Sequence, residues 1–567
     1  MRNKVIGAFL VFLLLCSFSL PVFAQDFYYF EEPNLYNIPK TLLRTDRGLD
    51  GIGSPPNPAL LNAPTGFSFI HRSAYRGGNY EVSSDVYNDI AAAGGMMGPG
   101  HLSSSVDERW YRNALATEIG FVLGLNDASS LSVLFDYGYD SITGDGMFTT
   151  DYYRVWLAPP SIDTTHCTGS LEKEYASHAF GVSVVYDREI TDTFSLGAGM
   201  RYAYLVDDSA ADIDGYCLNP GTPPVPENVS VERDLRLSSH LVSPSLGMSM
   251  KLADWMDMNV FVTSAFRFGN VERDSILYDD YNVVAFPIPY TDDLESNDLF
   301  GWDIDARLEL AVDIPPSEAL SIPLVVDFSI SDTKWEVDGV GSGFFDPHAY
   351  FGVFHGPGPV SYEYSFKNWD ISAGSGLRYT TDDLTVSALV SYSHLYIDTS
   401  YEEYNTVVSG PPNVLGLHGI TEKITENRDV VSLALGFKAP LGPVLFLDSI
   451  LQTDFGWGRM DYDATHLSLV TANGDTEYFE AAGDDFYCDM TLDLSLTYQP
   501  TSRLSLSLSG MCTVPIDPLD YDLAGSSYED PTMTINMYGH PMRGTSIRGV
   551  KTVGWEYGGM FSVKYLF

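Results

Sequence analysis

The stretch "DMTLDLSLTYQPTSRLSLSLSG", residues 489–510, decides the fold of this chain. Apolar residues alternate with Asp, Thr and Ser over residues 489–498, and the alternation resumes over 504–509 after a short break at 500–502. A period of two residues indicates β-strands, and two such runs around a short turn predict a hairpin. The apolar face of this hairpin would lie against either the core of a soluble sandwich or lipid.

The same pattern recurs along most of the chain. Six more pairs of alternating runs surround short turns, and a single run stands at each end of the set. The pairs cover residues 113–141, 174–206, 236–270, 298–336, 361–398 and 426–458, and the single runs cover 66–75 and 553–567. The connections sort strictly into short turns within pairs and long links between them, as in outer-membrane barrels. The sequence therefore predicts an all-β, transmembrane, antiparallel up-and-down β-barrel of about 16 strands, with 14 as the alternative. Its short turns would be periplasmic and its long loops extracellular.

The N-terminal segment predicts export. Arg2 and Lys4 precede an apolar run that ends in a small-residue cleavage pattern at Val22-Phe23-Ala24, so residues 1–24 are expected to be a cleaved signal peptide. Residues 25–65 do not alternate and form an N-terminal segment, a candidate plug or hatch, before the barrel at 66–567. No other stretch approaches 18 consecutive apolar residues, which predicts no transmembrane helix. The expected location is the bacterial outer membrane, with outer-membrane lipid as a partner.

The C-terminal run carries a second indication of a barrel. Phe561, Val563, Tyr565 and Phe567 alternate up to the last residue. This pattern resembles the signal by which the outer-membrane insertion machinery recognises barrel proteins. The resemblance implies that this machinery is a partner during biogenesis.

Charge and cysteine content exclude some classes of protein. The chain holds 76 acidic and 31 basic residues, a formal net charge of −45, which argues against nucleic acid as a partner. Cys167 and Cys217 fall in consecutive predicted loops and permit an external disulfide. Cys488 and Cys512 lie on the two arms of the opening hairpin and either form a cross-strand disulfide or face lipid as small apolar residues.

The face opposite the apolar residues is predicted to line the lumen, the interior of the barrel. A charge on the lipid face is costly near the middle of the membrane, so parity places charged residues inside. The lumen-lining candidates are Glu118, Asp136, Arg201, Asp303, Asp305, Arg307, Glu309, Asp327, Asp370, Arg378, Asp489 and Asp493. These groups form either a hydrated wall whose carboxylates pair with arginines, or a negative conduit that favours cations.

A short element before the first strand resembles a known family. Asn57, Pro58, Ala59 and Leu60 are similar to the "NPA" element at the start of the barrel in the outer-membrane long-chain fatty acid and aromatic hydrocarbon transporters (FadL type). The resemblance implies that residues 25–65 form a hatch inside the barrel and that small hydrophobic solutes pass. That family has fourteen strands, whereas the alternation here predicts sixteen.

Two loop features complete the candidates. Ala92, Ala93, Met96 and Met97 lie in the least polar loop stretch and form either the external hydrophobic binding site that the resemblance implies or a short packed lid. Acidic loop clusters such as residues 278–282 and 291–298 offer oxygen ligands for Ca²⁺ or are solvated loop charge.

No nucleotide-binding loop, H-E-x-x-H motif or nucleophile elbow occurs in the sequence, which predicts a protein that is not an enzyme and has no cofactor. Three functions follow from the sequence: passive or gated uptake of hydrophobic small molecules through a barrel with an N-terminal hatch, an open cation-preferring porin, or a non-transporting surface scaffold. The solute and the oligomeric state are not determined by the sequence.

Overall fold

The fold is one large antiparallel sheet. A computed structural model describes residues 67–90, 97–126, 128–157, 160–219, 225–281, 290–314, 319–341, 344–346, 353–356, 358–381, 384–409, 414–469, 475–517, 520–531 and 542–567. Its strands are β1 (Phe67–Ile90), β2 (Met97–Asn126), β3 (Ser129–Leu157), β4 (Pro160–Thr191), β5 (Phe194–Asn219), β6 (Val225–Ala253), β7 (Met256–Tyr281), β8 (Tyr290–Asp313), β9 (Leu320–Gly341), β10 (Phe344–Asp346), β11 (Val353–Gly356), β12 (Gly358–Thr381), β13 (Leu384–Ser409), β14 (Val414–Gly442), β15 (Leu445–Leu469), β16 (Asp475–Thr501), β17 (Leu504–Asp517), β18 (Asp520–Pro531) and β19 (Met542–Leu566). In the part of the chain that is described, no helix has the length and apolar character needed to span a bilayer.

The sheet closes on itself as a barrel with sixteen strand positions around its wall, each of which we call a stave. Each long strand pairs with its neighbour in the chain, and β1 pairs with β19 from Ser68↔Leu566 to Ile90↔Gly544. The short strand β11 pairs with β13 beyond the end of β12, and β10 pairs with β11. Strands β17 and β18 follow one another along a single stave. The predicted barrel of 16 strands is confirmed, and the alternative of 14 is wrong.

Large apolar side chains form a belt on the outer face. They stand on alternate residues in the part of each strand nearest the short turns, as Ile119 and Phe121 do on β2 and Leu435 and Phe437 on β14. The side chain of Leu246, for example, is 66% exposed. A water-soluble protein would not expose large apolar side chains around its whole surface in this way. The outer face of the opening hairpin therefore lies against lipid.

Aromatic and histidine side chains mark the edge of this belt away from the turns. The Tyr202 Oη and His240 Nδ1 atoms share a hydrogen bond of 2.8 Å, and the rings of Trp457 and Phe486 lie 5.4 Å apart. Amphipathic rings are favoured at the boundary between lipid and water.

The predicted long loops are mostly paired strand. The long strands have 22 to 32 residues, far more than the roughly 9–11 that cross a bilayer. Residues 142–157 of β3, for example, pair with residues 160–175 of β4. Beyond the membrane neither strand face meets lipid, so the apolar alternation that identifies a strand disappears while the backbone pairing continues.

Glycines make room for the inner aromatic rings. Gly144 is the register partner of Trp110, and a Cβ at Gly144 would lie 2.5 Å from a ring carbon of that tryptophan. Gly456 faces Tyr487 in the same way and would also collide with its ring. Glycine at these positions lets a large ring lie flat across the neighbouring strand.

The pairing of the wall is interrupted at the stave formed by β17 and β18. Among the described residues, 483–487 of β16 and 552–555 of β19 have no register partner on this stave. Pro515 lies near the end of β17, where it lacks a backbone N–H for the ladder. Trp555 of β19 packs against a buried cluster that includes Tyr487 of β16, so these two strands approach each other across the discontinuity.

The cysteines follow one of the predicted pairings. Cys167 is disulfide-bonded, and its register partner is Cys217. Cys488 and Cys512 are buried thiols, and they are not register partners, because Cys488 faces Asp517 and Cys512 faces Leu492. Of the two alternatives for this pair, the cross-strand disulfide is therefore wrong.

Candidate functional site

The lumen contains a large apolar cluster. We call it the apolar lumen cluster; it runs around the inner wall on strands from β1 to β13. Its largest members are Tyr80, Trp110, Tyr175, Trp335, Tyr362, Tyr364 and Phe366. Trp110 and Trp335 are each only 1% exposed although they lie on the inner face of a wide barrel. The interior is therefore packed at this level.

Side chains of nearby strands also contact one another along the inner wall. The guanidinium carbon of Arg273 on β7 lies 3.7 Å from the ring centre of Tyr362 on β12, with β8 and β9 between these strands in the wall. The rings of Trp335 and Tyr364 are stacked with centroids 6.0 Å apart. Aromatic faces in such a cluster offer an apolar surface that also accepts a positive charge.

Buried ion pairs stand beside the cluster on β1 to β7 and β19. Arg112 Nη2 donates to Asp140 Oδ2 over 2.8 Å, and Arg267 Nη2 donates to Asp207 Oδ2 over 2.7 Å. The side chains of Arg267 and Asp207 are each 2% exposed. Glu556 accepts from Arg76 and from the Tyr80 hydroxyl. Each of these charges is compensated inside the wall, as burial requires.

The lumen-lining candidates lie on the inner face but form separate groups. Arg72 and Glu118 are 3.7 Å apart, and Asp136 beside Glu118 pairs with Arg201. A second group lies on β8 and β9, where Arg307 Nε is 2.7 Å from Glu309 and 3.6 Å from Asp327.

The remaining candidates stand on the same inner parity. They are Asp303 and Asp305 on β8, Asp370 and Arg378 on β12, and Asp489 and Asp493 on β16. The structure does not bring the candidates together at one point. A role for any of them in passage stays a prediction.

Sequence reasoning missed the residues that fill the lumen. Trp110, Trp335, Tyr362 and the ion pair Arg112–Asp140 fall in or beside segments predicted as loops. The alternation of apolar and polar residues is weak in these segments, because aromatic, charged and glycine residues share the inner face there. The recurrence of tyrosine and tryptophan within supposed loops was the one signal that pointed to them.

Several predicted sites lie outside the described residues. They are the signal peptide 1–24, the segment 25–65 with Asn57, Pro58, Ala59 and Leu60, and the loop residues Ala92, Ala93 and Met96; the backbone of Met97 begins β2. Phe561, Val563 and Tyr565 lie in β19, and the backbone N–H of Phe567 donates to the carbonyl of Phe67 over 2.9 Å. Their recognition by the insertion machinery stays a prediction. Among the residues that are described, no three His, Cys, Asp or Glu side chains converge as ligands for a metal.

Comparisons with known proteins find other barrels of low similarity. No protein-family model and no curated protein matches it. A FadL homologue from Pseudomonas aeruginosa is similar at 11% identity over 90% of this chain and 93% of that chain, with a TM-score of 0.36. The CymD monoaromatic hydrocarbon channel is similar at 12% identity over 94% and 98%, with a TM-score of 0.29, and the Pseudomonas putida toluene transporter TodX at 11% over 90% and 92%, with a TM-score of 0.24. Values this low leave the function to be argued from the site itself.

Proposed function

We propose that this chain is an outer-membrane barrel through which small hydrophobic molecules pass along a narrow, aromatic-lined path. The apolar lumen cluster is the observation that carries the proposal. An open water-filled porin has a polar interior, whereas here buried tryptophan, tyrosine and phenylalanine line part of the lumen. A solute that passes these side chains must itself tolerate an apolar surface.

The surrounding charges support the same function. Arg112–Asp140, Arg267–Asp207 and Arg76–Glu556 are paired, so they hold the strands in register while presenting little net charge to a solute. An inner wall of compensated ion pairs around an aromatic cluster suits a solute with a large apolar part better than a simple ion.

The experiment compares two readouts of the full chain. Cells that express the barrel in their outer membrane should take up toluene faster than cells that lack it, and the purified barrel in a planar bilayer should show little steady conductance. Large steady conductance would overturn the proposal in favour of the porin. Equal toluene uptake in both cell types, with a silent bilayer, would favour the non-transporting scaffold.

A further inference from the structure

Two carboxylates face each other on the inner wall. Asp454 on β15 and Asp489 on β16 are register partners, and both have the inward parity. Facing residues of neighbouring strands have Cβ atoms about 4.5–5.5 Å apart, and like charges in this position repel. Asp489 is only 7% exposed, and within the described residues its Oδ1 atom has no hydrogen-bond partner. We call these two residues the carboxylate pair.

Neighbouring side chains do not neutralise the carboxylate pair. Gln452 Nε2 donates to both oxygens of Asp454 over 2.8 and 3.0 Å, but this amide is uncharged. The guanidinium of Arg428 donates to both oxygens of another carboxylate, Glu426, over 2.5 and 2.8 Å. In the described part of the chain, neither Asp454 nor Asp489 has an ion pair with a lysine or arginine. A buried pair of this kind favours a positive partner.

An aromatic ring stands beside the carboxylate pair. Tyr487 lies two residues from Asp489 on the same face of β16 and is 1% exposed, with its ring against Gly456. Met460 and Ala481 join Tyr487 in a buried apolar cluster. An aromatic face attracts a cation through the ring quadrupole. Carboxylate oxygens next to apolar surface therefore suit a positive group that is attached to an apolar body.

The ligand set argues against a metal ion. Calcium takes six to eight oxygen ligands, and no third carboxylate, histidine or cysteine converges here among the residues described. An alkylammonium group needs only about three acceptors for its N–H donors, and the oxygens of Asp454 and Asp489 can supply them.

We propose that the carboxylate pair binds the ammonium group of hydrophobic amines, so that apolar amines are a preferred class of solute for this barrel. The inference rests on the proposed function, since it assigns a solute class to the same lumen.

Isothermal titration of the purified, folded barrel tests the site. Benzylammonium should bind more tightly than benzyl alcohol, which has the same ring without the charge. Asp489→Asn and Asp454→Asn should each weaken benzylammonium binding by about tenfold or more, with little effect on benzyl alcohol. Asp461→Asn, on the exposed face of β15, is the matched control and should leave both affinities unchanged.

The outcomes separate the site from the proposed function. Equal benzylammonium affinity in the wild type and in both lumen variants would overturn the site, even if toluene uptake confirmed the proposed function. Calcium binding that depends on Asp489, without benzylammonium binding, would also overturn the assignment to amines. Tight benzylammonium binding in a barrel that does not take up toluene would retain the site and reject the proposed function.

Discussion

Asp136 on β3 and Arg201 on β5 form an ion pair across the intervening strand β4. The two side chains meet above Gly181, where a Cβ would lie 2.7 Å from the carboxyl carbon of Asp136. A glycine on the middle strand thus permits a charge pair between its two neighbours. The pair fixes three adjacent staves relative to each other.

Replacement of this glycine should destabilise the barrel. Gly181→Val places a branched side chain where the Asp136 carboxylate lies, and overpacking of this kind costs about 1–3 kcal/mol. We expect the folded band on a semi-native gel to disappear at a lower temperature. Gly559→Ala is the control, because a Cβ there meets only one backbone oxygen at 3.3 Å. Equal melting of the two variants would contradict the role of Gly181.

The ion pair Arg428–Glu426 should be sensitive to the loss of one partner. Both side chains are at most 1% exposed, so Glu426→Gln removes the paired carboxylate from a buried guanidinium. Breaking such a pair costs about 3–5 kcal/mol, whereas replacing both partners with apolar residues is often nearly neutral. Urea unfolding should therefore show a lower midpoint for Glu426→Gln than for the double variant Glu426→Leu with Arg428→Met. The reverse order would refute a compensated buried pair.

Trimming the apolar lumen cluster should open a water path. Trp335→Ala removes a buried ring that stacks on Tyr364 and leaves a cavity on the inner face. We expect single-channel conductance in a planar bilayer to rise above that of the wild type. Phe300→Ala, whose side chain is 55% exposed on the outer face, should leave the conductance unchanged. If both variants conduct like the wild type, the cluster does not limit the lumen.

The wall discontinuity should exchange its amide hydrogens early. Residues 483–487 and 552–555 lack register partners on the stave formed by β17 and β18. Hydrogen–deuterium exchange should therefore be faster there than in residues 490–498 of the same strand β16, which pair on both sides apart from one register shift near the turn. Uniform protection along β16 would show that the wall is continuous.

Mass mapping without reduction should find one disulfide and two thiols. We expect Cys167 to appear in a linked peptide, and Cys488 and Cys512 to appear unlinked. Because both thiols are buried, a water-soluble maleimide should label them slowly in the folded barrel and quickly after unfolding. A peptide that links Cys488 to Cys512 would contradict the register of β16 and β17.

The membrane-facing part of the fold was predictable from the sequence. In the membrane every second side chain faces lipid and must be apolar, and this constraint produces the alternation in runs such as Leu492 to Leu496. The number of staves follows directly from counting such runs. Where the strands leave the membrane this constraint is absent, so the sequence shows no apolar alternation in the part of β3 and β4 that pairs beyond the membrane.

The candidate site was less predictable. Parity placed Asp136, Arg307 and Asp489 on the inner face, because a charge facing lipid is costly. Parity does not show which inner side chains face each other on neighbouring strands, since that depends on the register of each strand pair. The stacking of Trp335 on Tyr364 and the facing of Asp454 and Asp489 required the structure.

The packing of inner aromatic rings against facing glycines has an evolutionary consequence. Gly144 and Trp110 share one volume, as do Gly456 and Tyr487, so neither partner can change size alone. Among divergent homologues of this chain, a larger side chain at one position of each pair should accompany a smaller one at the other, so that the combined side-chain volume stays nearly constant. Relatedness between such chains would then appear as covariation between the two facing positions. A sequence comparison that scores each position separately would overlook it.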